Sequence, residues 1–143
     1  MFIVNVEGAV YREGKWLLIE RSRQEEHAGG LLSLVGGTVE REANAKRLLE
    51  RTLVRELFEE VGVEVKDELR FVGSSSFSLA SGAEVLNIVF LCEWEKGEPW
   101  AKSPEEVAAV HWLSADDIMR DANAPVWLRE SIHAAEAVRR RNG

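Results

Sequence analysis

Residues Arg55–Gly62 read RELFEEVG. At ~100° of rotation per helical residue, Glu60 falls about 40° from Glu56, and Glu59 about 60° to its other side. Three carboxylates therefore share one helix face. Leu57, Val61, Val54 and Phe58 fall between about 100° and 200°, which predicts that they are the packing side. A solvated acidic face is the simplest account, with Arg55 and Glu59 as an i,i+4 pair. Against it, Glu56 and Glu60 are a like-charge i,i+4 pair. A hard divalent cation would relieve that repulsion, because Mg²⁺ takes oxygen ligands.

Working outward, a stretch free of Gly and Pro predicts a helix over 43–61, closed by Gly62 as a left-handed C-cap. Just before it, LVGGTVE carries the second of two Gly pairs, Gly29-Gly30 and Gly36-Gly37. Gly pairs predict turns or close backbone approach, and LLSLV between them predicts a strand. Upstream, FIVNVEGAVY and KWLLIERS predict two strands around a turn at Arg12–Lys15. Downstream, LRFVGSSSFSL, EVLNIVFLCEWE and VAAVHWL predict three more. SADDIMRDA predicts a short helix with Ser114 as N-cap and Asp117 three residues on. PVWLRESIHAAEAVRRR predicts a closing helix begun by Pro125, with Arg139, Arg140 and Arg141 at the negative end of its dipole. This order fits a mixed sheet with helices packed on its faces.

The chain has 143 residues, 45% of them hydrophobic and 30% charged, which predicts one domain over 1–143. A net charge of -7 argues against a nucleic-acid polymer or an anionic membrane as partner. A small anionic substrate stays open, because a bound cation reverses the local field. Cys92 is the single cysteine, so no internal disulfide and no cysteine-based zinc cage is expected. Within NIVFLCEW it reads as a buried small hydrophobe. His27, His111 and His133 have no metal-ligand spacing. No apolar run is long enough for a bilayer, and MFIVNVEG lacks the features of a signal peptide, so the cytoplasm is the expected compartment.

The pattern GGTVE…RELFEEVGV resembles the Nudix box. Arg55, Glu56, Leu57, Phe58, Glu59, Glu60, Val61, Gly62 and Val63 match its second half in full. The first half departs from it. Counted from Gly37 the box's first Glu falls on Ala43, and counted back from Arg55 it falls on Arg47, so about four residues are inserted. Four residues are about one helical turn, which predicts an extra turn at the helix start and leaves the later face in place. Glu42, Glu40 and Glu50 are the candidates for the missing acid. Leu49 and Leu53 continue the acidic face backwards as apolar, which predicts that protein covers it there.

The resemblance implies an α/β fold, a Nudix-type α/β/α sandwich with a mixed β-sheet. It implies a hydrolase that uses Mg²⁺ or Mn²⁺ to cleave a diphosphate linkage in a nucleoside di- or triphosphate or a nucleotide derivative, by attack of water on phosphorus. By position, Glu56, Glu59, Glu60 and the carbonyl of Gly37 would be metal ligands. One of these glutamates, Glu56 first with Glu59 also a catalytic candidate, would take the proton of the attacking water, and Arg55 would orient the carboxylates. Glu105 and Glu106 are candidates for a later acid of the site. For the substrate, Arg21 and Arg23 are candidate phosphate contacts, His27 a candidate cleft residue, and Trp94, Trp100, Trp112 and Trp127 candidate stacking platforms. The expected partner is a small nucleotide diphosphate, with no nucleic-acid polymer and no membrane. A second copy of the chain is a candidate partner through the N-terminal strand or SSSFSLASGAEV. The missing first Glu keeps open an alternative, a sensor of this fold that binds a nucleotide without cleaving it.

Overall fold

The apolar alternation of the first segment produces a long strand, β1 (Phe2–Arg12), which turns through Glu13 and Gly14 into β2 (Lys15–Arg21). Both turn residues have positive φ, 46° and 84°, the twist a two-residue hairpin needs. The structure, a computed structural model, describes residues 1–25 and 28–141, so His27 lies outside the described residues.

β1 is the centre of the sheet. It pairs antiparallel with β2 and with β4 (Val35–Thr38), and parallel with β7 (Glu84–Lys96). β3 (Leu32–Ser33) and β8 (Val107–Leu113) add to β2, while β5 (Glu64–Val65) and β6 (Arg70–Ser78) add to β7. Parallel and antiparallel pairs in one sheet make it mixed.

Period-two alternation splits the core into two layers. Val6, Val10, Leu17 and Ile19 face α1 (Leu48–Val61) through Leu53, Leu57 and Val61. Ala9, Trp16, Leu18 and Leu91 face α2 (Ala115–Arg120) and α3 (Val126–Arg141) through Ile118, Leu128 and Ile132. Helices cover both faces, which is an α/β/α sandwich. No described helix is long and apolar enough to cross a membrane.

The caps behave as their residues dictate. Gly62 ends α1 at φ 72°, its N–H bonded to Leu57 and Phe58 carbonyls. Ser114 Oγ accepts the Asp117 N–H at 3.2 Å at the start of α2. Ser114→Ala is expected to cost about 1 kcal/mol, read as a lower urea midpoint at unchanged slope. Cys92 is fully buried, and burial pushes its thiol up to about 12. Iodoacetamide at pH 8 is therefore expected to leave the native protein unlabelled and to label it after unfolding in urea.

Three expectations are corrected. The α1 helix starts at Leu48, not Ala43, so the inserted residues do not form an extra turn. Asn44 and Arg47 have φ of 59° and 53°, left-handed conformations that a right-handed helix cannot continue. The insertion is a loop, fastened by Arg51 Nε donating to the Lys46 carbonyl at 3.0 Å.

The packing arc of α1 also differs. Val54 and Phe58 are 44% and 48% exposed, while Leu53, Leu57, Val61 and Glu60 are buried. The sheet meets the helix along the row that runs from Leu53 toward Glu60. The acidic and packing sides thus overlap, and the predicted cover of the earlier turns holds, with Leu53 buried and Leu49 packed against the core.

Finally, LLSLV is two short strands, not one. β3 bonds to β2 and β4 to β1, so the chain changes partner at Leu34. The pair Gly36-Gly37 lies inside β4, where the backbone approaches its neighbours too closely for side chains.

Candidate active site

The site begins with two glycines. A Cβ on Gly36 would overlap the Val6 carbonyl oxygen. A Cβ on Gly37 would lie 2.5 Å from Cδ of Glu56. Without side chains, β4 brings its backbone directly under the C-terminal half of α1. The helix C-cap at Gly62 then fixes where Glu56 and Glu60 stand.

These elements enclose a cleft of about 350 Å³ lined by Gly36, Gly37, Glu40, Glu56, Glu60 and Glu106, with Arg21 and Glu25 closing it. Glu60 is 5% exposed, and its Oε2 has no hydrogen-bond partner although it is sealed from solvent. Burial, followed by the side-chain hydrogen bond with Glu56 and the charges of Glu106 and Glu56, pushes its pKa up to about 9, and Arg21 opposes this. Glu106 is likewise raised, by burial first and then by the charges of Glu56, Glu25 and Glu105. An orphaned carboxylate oxygen among acids is costly unless a proton or a cation joins it.

That excess of oxygen donors fits a hard divalent cation. Among the described residues no three His, Cys, Asp or Glu side chains form a ready cage. Mg²⁺ does not require one, since it binds through one or two carboxylates with waters and substrate phosphates completing its shell.

The structure separates the sequence candidates. Glu56, Glu60, Gly37, Arg21 and Glu106 line the cleft. Glu59 does not: its side chain is 59% exposed and lies 3.8 Å from Arg55 Nε. Arg55 also reaches Glu56, with Nη2 to Oε1 at 3.3 Å, so it holds the outer edge of the carboxylate row. Glu105 is exposed and accepts from Ser103. Arg23 is exposed, and its guanidinium lies over Gly30.

Of the candidates for the missing acid, only Glu40 lines the cleft. Glu42 pairs with Arg51, and Glu50 faces Asp67 and Glu68 elsewhere. Among the tryptophans, Trp94 and Trp112 pack against Arg12, and Trp100 lies beside Gly62. Trp127 lines a second cleft next to the first.

Sequence reasoning missed Glu25, Asn5 and Thr38 in the first cleft. Asn5 carried a readable signal, a polar residue at period two with Glu7 in an apolar strand. Glu25 carried none, because the fold of the loop after β2 brings it in.

In chelated buffer the raised group has a stability consequence. Burial holds the pKa of Glu60 up to about 9 in the fold, while in the unfolded chain it ionises near the ordinary carboxylate value of 4.5. Between these values the folded state binds more protons, so stability falls as pH rises through that window. Urea melts in EDTA from pH 5 to 8.5 are expected to show this decline, and Glu60→Gln to make it shallower, with Glu7 and Glu106, which burial also raises, carrying the remainder.

Comparison with known proteins gives concordant likenesses. Residues 1–135 match the NUDIX domain family. The NAD-capped RNA hydrolase NudC of Escherichia coli O1:K1 / APEC is 31% identical over 110 residues, which are 77% of this chain and 38% of that protein. The chain thus spans well under half the length of the curated relatives it matches. The crystal structure of a MutT protein from Methanosarcina mazei Go1 superposes with a TM-score of 0.79 at 25% identity, covering 99% of this chain and 95% of that one. The MutT NUDIX hydrolase of Burkholderia pseudomallei has the same fold, with a TM-score of 0.79 at 24% identity over 94% of this chain and 98% of that one.

Proposed function

The chain belongs to the NUDIX domain family, and on that premise we propose that it is a divalent-metal-dependent hydrolase of a diphosphate linkage in a small nucleotide. One observation carries the reading: a buried, unpartnered Glu60 oxygen in a cleft whose other walls are Glu56, Glu106 and the backbone of Gly36-Gly37.

Glu56, Glu60 and the Gly37 carbonyl would hold Mg²⁺ or Mn²⁺. When bound, the cation neutralises phosphate oxygens and acidifies a water molecule. Glu56, mostly covered but lining the cleft, accepts the proton of the attacking water at its carboxylate. Arg55 holds Glu56 from the solvent side, with Nη2 at 3.3 Å from Oε1. Glu106 supports the same centre from the start of β8, and Arg21 offers a guanidinium at the cleft wall for a phosphate oxygen. An acidic protein binds a polyphosphate in this way because the cation reverses the local field.

The relative's printed name concerns an NAD-capped RNA. The net charge of -7 favours a small nucleotide over a polymer for this chain.

A thermal melt tests metal binding separately from turnover. A cation that binds only the folded state raises the melting temperature as its concentration rises. Millimolar Mg²⁺ is expected to raise it by several degrees, about 3–6 °C, over NaCl at matched ionic strength. No difference between the two salts would remove the metal from the reading.

A further inference from the structure

β6 lies at an edge of the sheet. It pairs with β7 and, among the described residues, with no other strand. Its outward-turned N–H and C=O groups are a template for a further strand, which folded chains blunt with charges, Pro or bulges. β6 has a bulge only near its start, between Phe71 and Gly73. The stretch FVGSSSFSL, Phe71 to Leu79, holds no charged residue and no Pro. Ser74, Ser75, Ser76, Phe77 and Ser78 are all exposed.

Beside this edge runs a groove of about 250 Å³, lined by Val72, Gly73 and Val89 of the sheet and by Ser131 and Ala134 of α3. Small residues leave it open: a Cβ on Gly73 would meet nothing within 4 Å. Gly73, Ser75 and Phe77 stand opposite Val89, Asn87 and Val85, so period-two alternation puts all three on the same face of the sheet. Phe77 is 38% exposed. An aromatic side chain and an empty socket therefore flank Ser75 symmetrically, two residues to either side.

We infer that this edge pairs with a second copy of the chain, β6 against β6, antiparallel about a two-fold axis at Ser75. In that register Ser75 stands opposite its own copy, Ser74 opposite Ser76, and Gly73 opposite Phe77. Each Phe77 covers the Gly73 of the other copy, and aromatic cover of an edge glycine is a device that pins strand register. One axis fills both sockets at once, as an isologous interface requires. A partner of another kind gives no reason for the equal spacing about Ser75. Charge points the same way. Each copy carries -7, so two copies repel one another unless they meet through a neutral surface. The uncharged run from Phe71 to Leu79 is centred on the same Ser75. β1 offers no such edge, since β4 and β7 flank it over Asn5–Gly8. A short ladder with one aromatic anchor per copy is a small interface, so the dimer is reversible and follows concentration. The inference does not depend on the activity reading.

The test is sedimentation velocity over a dilution series from about 200 µM to about 1 µM, on the parent chain, Ser75→Lys and Gly73→Leu. The parent is expected to pass from dimer to monomer on dilution. Ser75→Lys sets two like charges face to face on the axis and is expected to stay monomeric throughout. Gly73→Leu fills the socket and is expected to raise the dissociation constant about tenfold or more. Ser75 is exposed and Gly73 has open space above it, so both variants are expected to keep the parent's thermal melt at low concentration. Cross-linking reads the register. Under mild oxidation Ser75→Cys is expected to give a disulfide-linked dimer, because Cα atoms directly opposite lie about 4.5–5.5 Å apart. Ser78→Cys is expected to give none, because its two copies would lie about 20 Å apart. Cys92 is fully buried and does not compete. A parent that is monomeric at every concentration overturns the inference. So does a dimer that Ser75→Lys leaves intact, or one that Ser78→Cys cross-links in preference to Ser75→Cys.

Discussion

Glu60→Gln is expected to lower kcat by about a hundredfold or more while leaving the protein at least as stable in EDTA. The two halves of that result have one cause. Gln keeps the shape of Glu60 and cannot ionise, and the metal-free fold already disfavours the charge at this 5%-exposed position. Removing the charge therefore costs the fold nothing. It removes the oxygen anion that a cation would need in the cleft. The melting-temperature rise with Mg²⁺ is expected to vanish in the same variant. A purely structural carboxylate would behave differently, since losing a needed ion pair lowers stability whether or not metal is present.

Gly36→Ala is expected to be the most damaging small substitution in the chain, at about 3 kcal/mol or more. Its Cβ would overlap the Val6 carbonyl oxygen and lie 2.9 Å from Cα of Glu7. Both obstacles are backbone of the central strand, so neither can swing aside. The β1–β4 ladder would have to part, displacing Gly37 from under Glu56. Thermal melts are expected to show a marked fall in the transition, and hydrolysis to fall beyond what the folded fraction accounts for. Ala at Gly73, whose Cβ would meet nothing within 4 Å, is the matched control.

Much of this was legible along the chain. The eight residues from Arg55 carried the C-terminal half of α1, because helix spacing alone brings Glu56 and Glu60 to one side. Gly62 marked the helix end, and Ser114 and Pro125 marked two helix starts. The start of α1 was not legible. Asn44 and Arg47 adopt left-handed backbone with no glycine to announce it. The packing side is hidden for a related reason: periodicity says which residues share a face, not which face meets a sheet. Helical spacing puts Phe58 on the arc of Leu57 and Val61, yet Lys102 covers its ring at 3.7 Å on the outside. The hydrogen bond of Asn5 with Asn87 was out of reach too, since the two are 82 positions apart and meet only when β1 pairs with β7. Glu105 and Glu106 are both exposed neighbours just before β8, and only the fold shows that Glu106 is the one of the two that lines the cleft.

The most direct test of the central claim is product analysis of a panel of nucleoside triphosphates and nucleotide diphosphate conjugates with Mg²⁺, run in parallel on the parent chain, Glu56→Gln and Glu60→Gln. The account predicts release of phosphate or pyrophosphate by the parent, none in EDTA, and a loss of about a hundredfold or more in both variants. Turnover that persists in both variants, or a parent that binds nucleotide with Mg²⁺ and cleaves no member of the panel, would contradict it. The second result would leave a nucleotide sensor built on the same fold.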